Sequence, residues 1–449
     1  MSDEVLASPD ERATPRRRRF VGLWRGLKVA GVALLVLLAL RLVWGYRVNR
    51  QIEARLAEYR ARGEPWEARQ FEGPAIPDDQ NAAVALRRAA AKIVDPPAES
   101  YVEGLTLTDP GTPAQQEVAR KWVSDNREAL GLAEAALKLD RVNWTTDGAH
   151  DDPMAALQEI GPAMSVAYLL LTASTVEFRQ GDWARALEHA AQVLKVSRTM
   201  IDEPWWFLQH QRHRLESRAA EQIEGIVSPS VSGPPGTPAE VRQIIARLLD
   251  EAPDREAIVR CLYAERARAA EIYRSIAEGH FDKSFFRYRW AAPGPLGRFG
   301  LCCIAPYIHR REVTEMDYYT ALIPAVREPD ARSMSARLPA APPLNAPPRW
   351  TGFYGADALD QWLGSGSNLN QGLGTVYFAL ADRRRAALLL AARLYQSEHG
   401  GQPPTEDHQL VPNYIDHFPG DPIGGGTTLP LRRGVVPASR PASRPSTNQ

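Results

Sequence analysis

The chain has 449 residues, of which 44% are hydrophobic and 24% charged, enough apolar material for one large core or two ordinary ones and too much for a disordered chain. Lys plus Arg equals Asp plus Glu at 54 each, so no global field draws in nucleic acid, and a dedicated nucleic-acid binder is excluded. Three cysteines, Cys261, Cys302 and Cys303, are too few and too oddly spaced for a disulfide framework or a zinc site, and read as small apolar filler.

The first element is the basic and apolar stretch from Arg16 to Arg47. Its uninterrupted apolar run, Val29 to Leu40, makes about 18 Å of helix, too short for about 30 Å of hydrocarbon. With its flanks, Leu23 to Trp44, it reaches about 33 Å, and Arg25, Lys28 and Arg41 lie near the ends where long side chains snorkel. Trp24, Trp44 and Tyr46 stand at aromatic-belt positions. A core helix would keep a polar stripe, which Val29 to Leu40 lacks. The spacing therefore predicts a transmembrane span over 23–46, and the lipid bilayer as a partner. Only Val43 and Gly45 offer small residues for a signal peptidase, so an uncleaved signal anchor is expected. The arginine run at 16–19 also satisfies a twin-arginine pattern, though four arginines do so cheaply. Arg12, Arg16 to Arg19, Arg25 and Lys28 precede the span, against Arg41, Arg47, Arg50 and Arg55 at or after its end. That bias puts a disordered basic tail, 1–22, in the cytoplasm and the body in the periplasm or an equivalent compartment, which makes the protein a single-pass component of the inner membrane.

Beyond the anchor, helical periodicity dominates and strand signals are almost absent, so the fold class is mainly α: an all-helical ectodomain over 47–327 with a small irregular C-terminal module. Gln51 to Phe71 reads as a charged, solvent-facing helix. Asp78 or Asp79 is the expected N-cap of an alanine-rich helix from Asn81 to Val94. Thr112-Pro113-Ala114-Gln115 and Thr237-Pro238-Ala239-Glu240 each combine a cap, a first-turn proline and a capping-box partner, and predict helices Pro113 to Leu139 and Pro238 to Leu249. Other helices are expected at Met154 to Phe178, Trp183 to Met200, Trp205 to Val227, Arg255 to Glu278, Val313 to Val326 and Leu369 to Glu398. Proline and glycine mark linkers at Ser228 to Gly236 and over 328–349; a C-terminal helix and its motif occupy 350–426, and the last residues, 427–449, read as a disordered tail.

Several clusters invite chemistry. Residues 281–300 form an aromatic, basic loop in which Phe285, Phe286, Arg287, Tyr288, Arg289 and Trp290 make the candidate surface for a protein partner in the envelope, through stacking and cation-π contacts. His210, His213 and Glu216 lie three apart on one helix, so neighbouring pairs could ligate a metal, but the third position has rotated off the face and an ordinary helix surface is expected. Asp147, His150, Asp151 and Asp152 read as a polar loop capping the next helix rather than an acid-base site. Gly364, Gly366 and Gly372 lack the strand and spacing of a phosphate-cradling loop, and vicinal Cys302 and Cys303 could form a strained redox bond. No catalytic residue, metal ligand or cofactor is assigned. The expected function is a membrane-anchored interaction or scaffold module of the envelope, with an exported hydrolase or metal-dependent enzyme as the alternative.

Three resemblances add to this. Around Gly181, Asp182, Trp183, Ala186, Leu187 and Leu194 the segment 172–196 resembles one tetratricopeptide repeat, which implies a helical hairpin and, without a second copy, no solenoid. IPDDQNAAVALRRAA, WVSDNREALGLAEAAL, FRQGDWARALEHAAQVLKVSRTMIDEP and LYQSEHGGQPPTEDHQLVPNYIDHFPGDPIGG together resemble a large uncharacterised family of bacterial single-pass membrane-anchored helical proteins, over about residues 24 to 426, and bring no activity or cofactor. The last of these motifs, from Leu394 and Tyr395 through His399, Gly400, Pro404, Leu410, Pro412, Tyr414, Pro419, Asp421 and Pro422, is similar to type II secretion pseudopilins after their long helix. A processed pilin would need a Gly-Phe cleavage point and an early glutamate in the apolar helix; Val21, Gly22, Leu23 and Trp24 supply neither.

Overall fold

The computed structural model describes residues 14–96, 107, 111–144, 153–228, 236–278, 295–339 and 366–423; in the helices that begin at 14, 153, 295 and 366, side chains are described from 24, 156, 305 and 372 onward. The fold is mainly α, and the described residues contain helices and one isolated backbone bridge, Asn81 to Arg141, but no strand.

The first helix, α1 (Thr14–Arg62), is one uninterrupted rod. It ends where Gly63 takes a φ of +66°, letting the Gly63 and Glu64 amides donate to the carbonyls of Arg60 and Tyr59. Its upper part corrects the expectation of a solvent-facing helix at Gln51 to Phe71: Val48, Ile52, Leu56 and Tyr59, spaced three and four apart, are buried. The charges that suggested exposure occupy the other faces.

Next come α2 (Ala82–Ala90), α3 (Pro113–Asp125) and α4 (Arg127–Ala136). The cap of α2 is Asn81, and neither Asp78 nor Asp79 serves. Asn81 accepts from the Ala83 amide at 3.0 Å and also donates to the Asn143 carbonyl at 3.0 Å, a double task no carboxylate can perform. The expected long helix from Pro113 breaks at Asn126, whose side-chain amide pairs with both backbone groups of Val94 and so fixes this corner. Both threonine capping boxes form as expected.

A hairpin of α5 (Pro153–Gln180) and α6 (Trp183–Arg198), turned at Gly181 with φ +86°, leads into α7 (Trp206–Ile226), α8 (Pro238–Leu249) and α9 (Ala252–Ala277). Then follow α10 (Pro295–Val326), α11 (Ala331–Arg337) and α12 (Gly366–Glu398). Two of these differ from expectation. Helix α10 begins far before Val313, so residues 295–300 of the presumed loop are helical; Pro295 stands at a position where a missing amide proton costs nothing. Helix α11 lies within the proline-rich stretch, started by Asp330, which accepts from the Ser333 amide at 2.8 Å, and pinned by the Ala331 amide on the Pro422 carbonyl.

Packing divides the body into two main apolar clusters. The larger joins α2 to α8 with the second half of α12, through residues such as Ile160, Leu170, Leu187, Leu215 and Leu390. The smaller joins α9, α10, α11 and the first half of α12, through Leu262, Leu322, Met334 and Leu380. A third, small cluster seats α1 on α9 and α10 by Val48, Ile52, Leu56, Tyr59, Ala270, Val313 and Met316. After α12 the chain folds back: Tyr395 meets Tyr414 edge-on at 5.7 Å, the Tyr414 hydroxyl donates to Glu398 at 2.7 Å, and Leu410 and Ile415 are buried.

Among the described residues, two helices are long and apolar enough by composition to cross a membrane. The best window of Trp24–Arg62 has mean hydropathy 2.2 and none of it is buried, whereas that of Ala156–Gln180 reaches 1.2 and is 67% buried against its neighbours. The second is a core helix. The first is an N-terminal apolar helix of anchor or signal-sequence type whose apolar surface has no partner in the body among the described residues.

Candidate functional site

The aromatic, basic loop from Phe285 to Trp290 and the acidic cluster from Asp147 to Asp152 lie outside the described residues. Cys302 and Cys303 fall on the backbone of α10, with side chains outside them too. Cys261 is a free, fully buried thiol, its pKa pushed well up by burial, which fits apolar filler. Gly372 has a packing role: a Cβ there would come within 2.6 Å of Trp206 Cζ2, so only glycine lets α12 approach α7 this closely.

The residues singled out on α7 part company. His210 is half-buried, and its Nδ1 lies 3.2 Å from the Thr375 hydroxyl on α12. His213 and Glu216 overturn the reading as ordinary helix surface, because both are fully buried. They belong to a charge cluster built with Arg212 of α7, Asp254 of α9 and Arg383 of α12. Arg212 donates to Asp254 and, at 3.1 Å, to Glu216; Arg383 donates to Asp254 at 2.5 Å and to Glu216 at 3.4 Å. Because arginine can only donate, the 3.0 Å contact from Arg212 Nη2 makes His213 Nε2 an acceptor, so Nδ1 carries the proton that faces Glu216 at 3.2 Å. His213 is thus neutral, in keeping with burial and Arg212, which both lower its pKa. Burial pushes the Glu216 carboxyl up, but Arg212 and Arg383 outweigh it and hold the group well below its ordinary value. Two guanidinium groups face two carboxylates, and the cluster is neutral overall.

Its location explains its form. Arg383 marks the change on α12 from the smaller apolar cluster, ending at Leu380, to the larger, starting at Ala386. Arg383 also donates to the carbonyls of Leu248, at 3.0 Å, and Asp250, at 2.8 Å, satisfying the orphan end of α8. Gln209 accepts from Arg212 Nε at 2.8 Å and donates to the Glu203 carbonyl at 2.7 Å, closing the turn between α6 and α7. The cluster is a sealed seam between two cores. Its groups are engaged with each other, and no three His, Cys, Asp or Glu side chains among the described residues are placed to hold a metal. Sequence reasoning took His213 and Glu216 for helix surface and missed Arg212, Asp254 and Arg383, although each sits on an apolar stripe, as Arg212 does between Leu208 and Leu215.

The second assembly is where α1 meets the body. Arg266 of α9, 1% exposed, lies with its guanidinium carbon 3.7 Å from the Tyr59 ring centroid and 4.9 Å from that of Tyr263. It pairs with Glu64 at 2.9 Å and donates to the Thr320 hydroxyl and the Pro65 carbonyl. Tyr59 is itself within 3.0 Å of Thr320, and burial raises its phenol pKa. One cation therefore joins α1, the turn after it, α9 and α10. Arg55 adds an exposed ion pair to Asp317 at 2.7 Å. Glu64 and Arg266 carried no sequence motif; the signal was an arginine amid Leu262, Ala269 and Ala270 in an otherwise apolar helical face.

Comparison with protein-family models, with curated proteins and with solved structures finds no match to this chain.

Proposed function

We propose that the protein is a single-pass scaffold of the cell envelope: the apolar half of α1 is an uncleaved anchor in the inner membrane, the basic N-terminus lies in the cytoplasm, and the helical body presents a surface to a protein partner in the periplasm or an equivalent compartment. One observation carries this reading. Residues 24–40 of α1 are exposed throughout, with large apolar side chains at roughly half to two-thirds exposure, while the same unbroken helix buries one face in the body through Val48, Ile52, Leu56 and Tyr59. Exposed apolar surface of that extent calls for a non-aqueous partner, and a rod shared by the span and the core would hold the body at a set distance and angle from the bilayer. The excess of Arg and Lys before the span supports the orientation. The aromatic and basic residues Phe285, Phe286, Arg287, Tyr288, Arg289 and Trp290 are the proposed contact for the partner, by their composition.

Alkaline phosphatase fused after Ile423 should be active only if the body is exported, and the full chain should resist carbonate extraction. An inactive fusion, or a freely soluble intact chain, overturns the reading. In-cell crosslinking from Arg287 should yield a discrete protein adduct that disappears when Phe285, Phe286, Tyr288 and Trp290 are changed to alanine.

A further inference from the structure

The anchor has a companion. Along the contact between α1 and α10, paired residues advance together: a Cβ at Gly45 would lie 3.6 Å from Pro306, Gln51 accepts from Arg310 at 3.0 Å, Arg55 pairs with Asp317, and Tyr59 meets Thr320. The two helices therefore run parallel from Pro306 onward, and the N-terminal end of α10 lies on the side of the body from which the apolar half of α1 emerges. Helix α9 runs the opposite way, since Arg266 meets Thr320 and Arg274 meets Glu312, so α9 ends near the level of the anchor's exit.

Pro306 is level with Gly45, beside the belt residues Trp44 and Tyr46, yet the backbone of α10 continues helical for eleven residues below it, back to Pro295. Eleven residues make about 16 Å, half of the hydrocarbon thickness. Their sequence, PLGRFGLCCIA, has a single charge, Arg298. Just above them the composition changes as it does on α1: Tyr307 matches Tyr46, and Arg310 and Arg311 match Arg47 and Arg50.

We propose that residues 295–305 of α10 form a second membrane-inserted element, a re-entrant half-helix that enters the outer leaflet beside the anchor. The proposal rests on the anchor reading above. Pro295 at the first position removes one of the backbone donors that lipid would leave unpaired. The body is then held to the bilayer at two points, which fixes its rotation about the anchor axis as well as its height.

The test places a nitroxide label on Cys302 of the full chain carrying Cys303→Ser, in phosphatidylethanolamine and phosphatidylglycerol vesicles; buried Cys261 remains native and unlabelled. Reference labels at Leu34→Cys and Arg310→Cys, each in a Cys302→Ser, Cys303→Ser background, report the span and the surface. The expected result is collision with oxygen several-fold favoured over a water-soluble nickel complex at Cys302, as at Leu34→Cys, with the reverse at Arg310→Cys. A Cys302 label that favours nickel, or is shielded from both, overturns the proposal while a lipid-exposed Leu34→Cys label leaves the anchor standing; a water-exposed Leu34→Cys label overturns both. A label at Phe299→Cys, in the same background, repeats the reading should the Cys302 adduct disturb the fold.

Discussion

The molecule buries arginine in two ways. At the seam between the two cores, Arg212 and Arg383 are sealed in and matched one for one by Asp254 and Glu216. At the junction with α1, Arg266 has one carboxylate, Glu64, and is otherwise held between the rings of Tyr59 and Tyr263. The seam is deep, and any change in its charge count leaves an ion without water or partner. The junction is shallower, with Glu64 15% exposed, and spreads the interaction over ring faces, a carbonyl and a hydroxyl. The first arrangement specifies a register between cores; the second fastens one helix to a finished body.

If this contrast is right, Asp254→Ala has the largest effect. It leaves Arg212 and Arg383 to share Glu216 as their one remaining carboxylate, with one buried positive charge uncompensated, and should cost about 3 to 5 kcal/mol, seen as a lower denaturation midpoint of the detergent-solubilised chain by circular dichroism. A loss below about 1 kcal/mol would place the seam among weak surface pairs. Arg266→Met keeps the apolar stem and should cost about 2 kcal/mol, with faster hydrogen exchange confined to residues 48–64 and no change in α6 or α7. Faster exchange across the whole body would erase the distinction between fastening and specification.

Thr237→Ala tests the other end of the helix that Arg383 closes. Its cap is exposed and replaceable by water, so about 1 kcal/mol is expected from the same denaturation measurement. The smallest effect depends on pH. Glu224, near Asp382 and 3.5 Å from Arg385, is pushed up from 4.5 to about 7 by burial, so the folded chain retains a proton that the unfolded chain has released. Its contribution to stability is therefore full below pH 4.5 and is lost as pH rises through 7. Glu224→Gln should raise the thermal midpoint by about 1 to 3 °C at pH 8 and leave it unchanged at pH 4.

Local signals were read well from the chain. Thr112 and Thr237 start their helices, Gly181 turns its hairpin, and Val29 to Leu40 lacks the polar stripe a packed helix needs. Each depends on neighbours within one or two helical turns. What failed depended on distant partners. Asn81 displaced Asp78 and Asp79 as a cap because of a carbonyl at Asn143, and the charged face of Gln51 to Phe71 concealed an apolar one that only α9 and α10 cover.

Composition and periodicity thus settled the mainly helical class, the two threonine caps and the greasy N-terminal rod, since backbone propensity and hydrophobic spacing act over a few residues. The pairing of Arg212 and Arg383 with Asp254 and Glu216, the aromatic cradle of Arg266, and the parallel course of α1 and α10 emerged only once the helices were packed. Charges far apart in the chain are indistinguishable from solvated ones until folding removes the water between them.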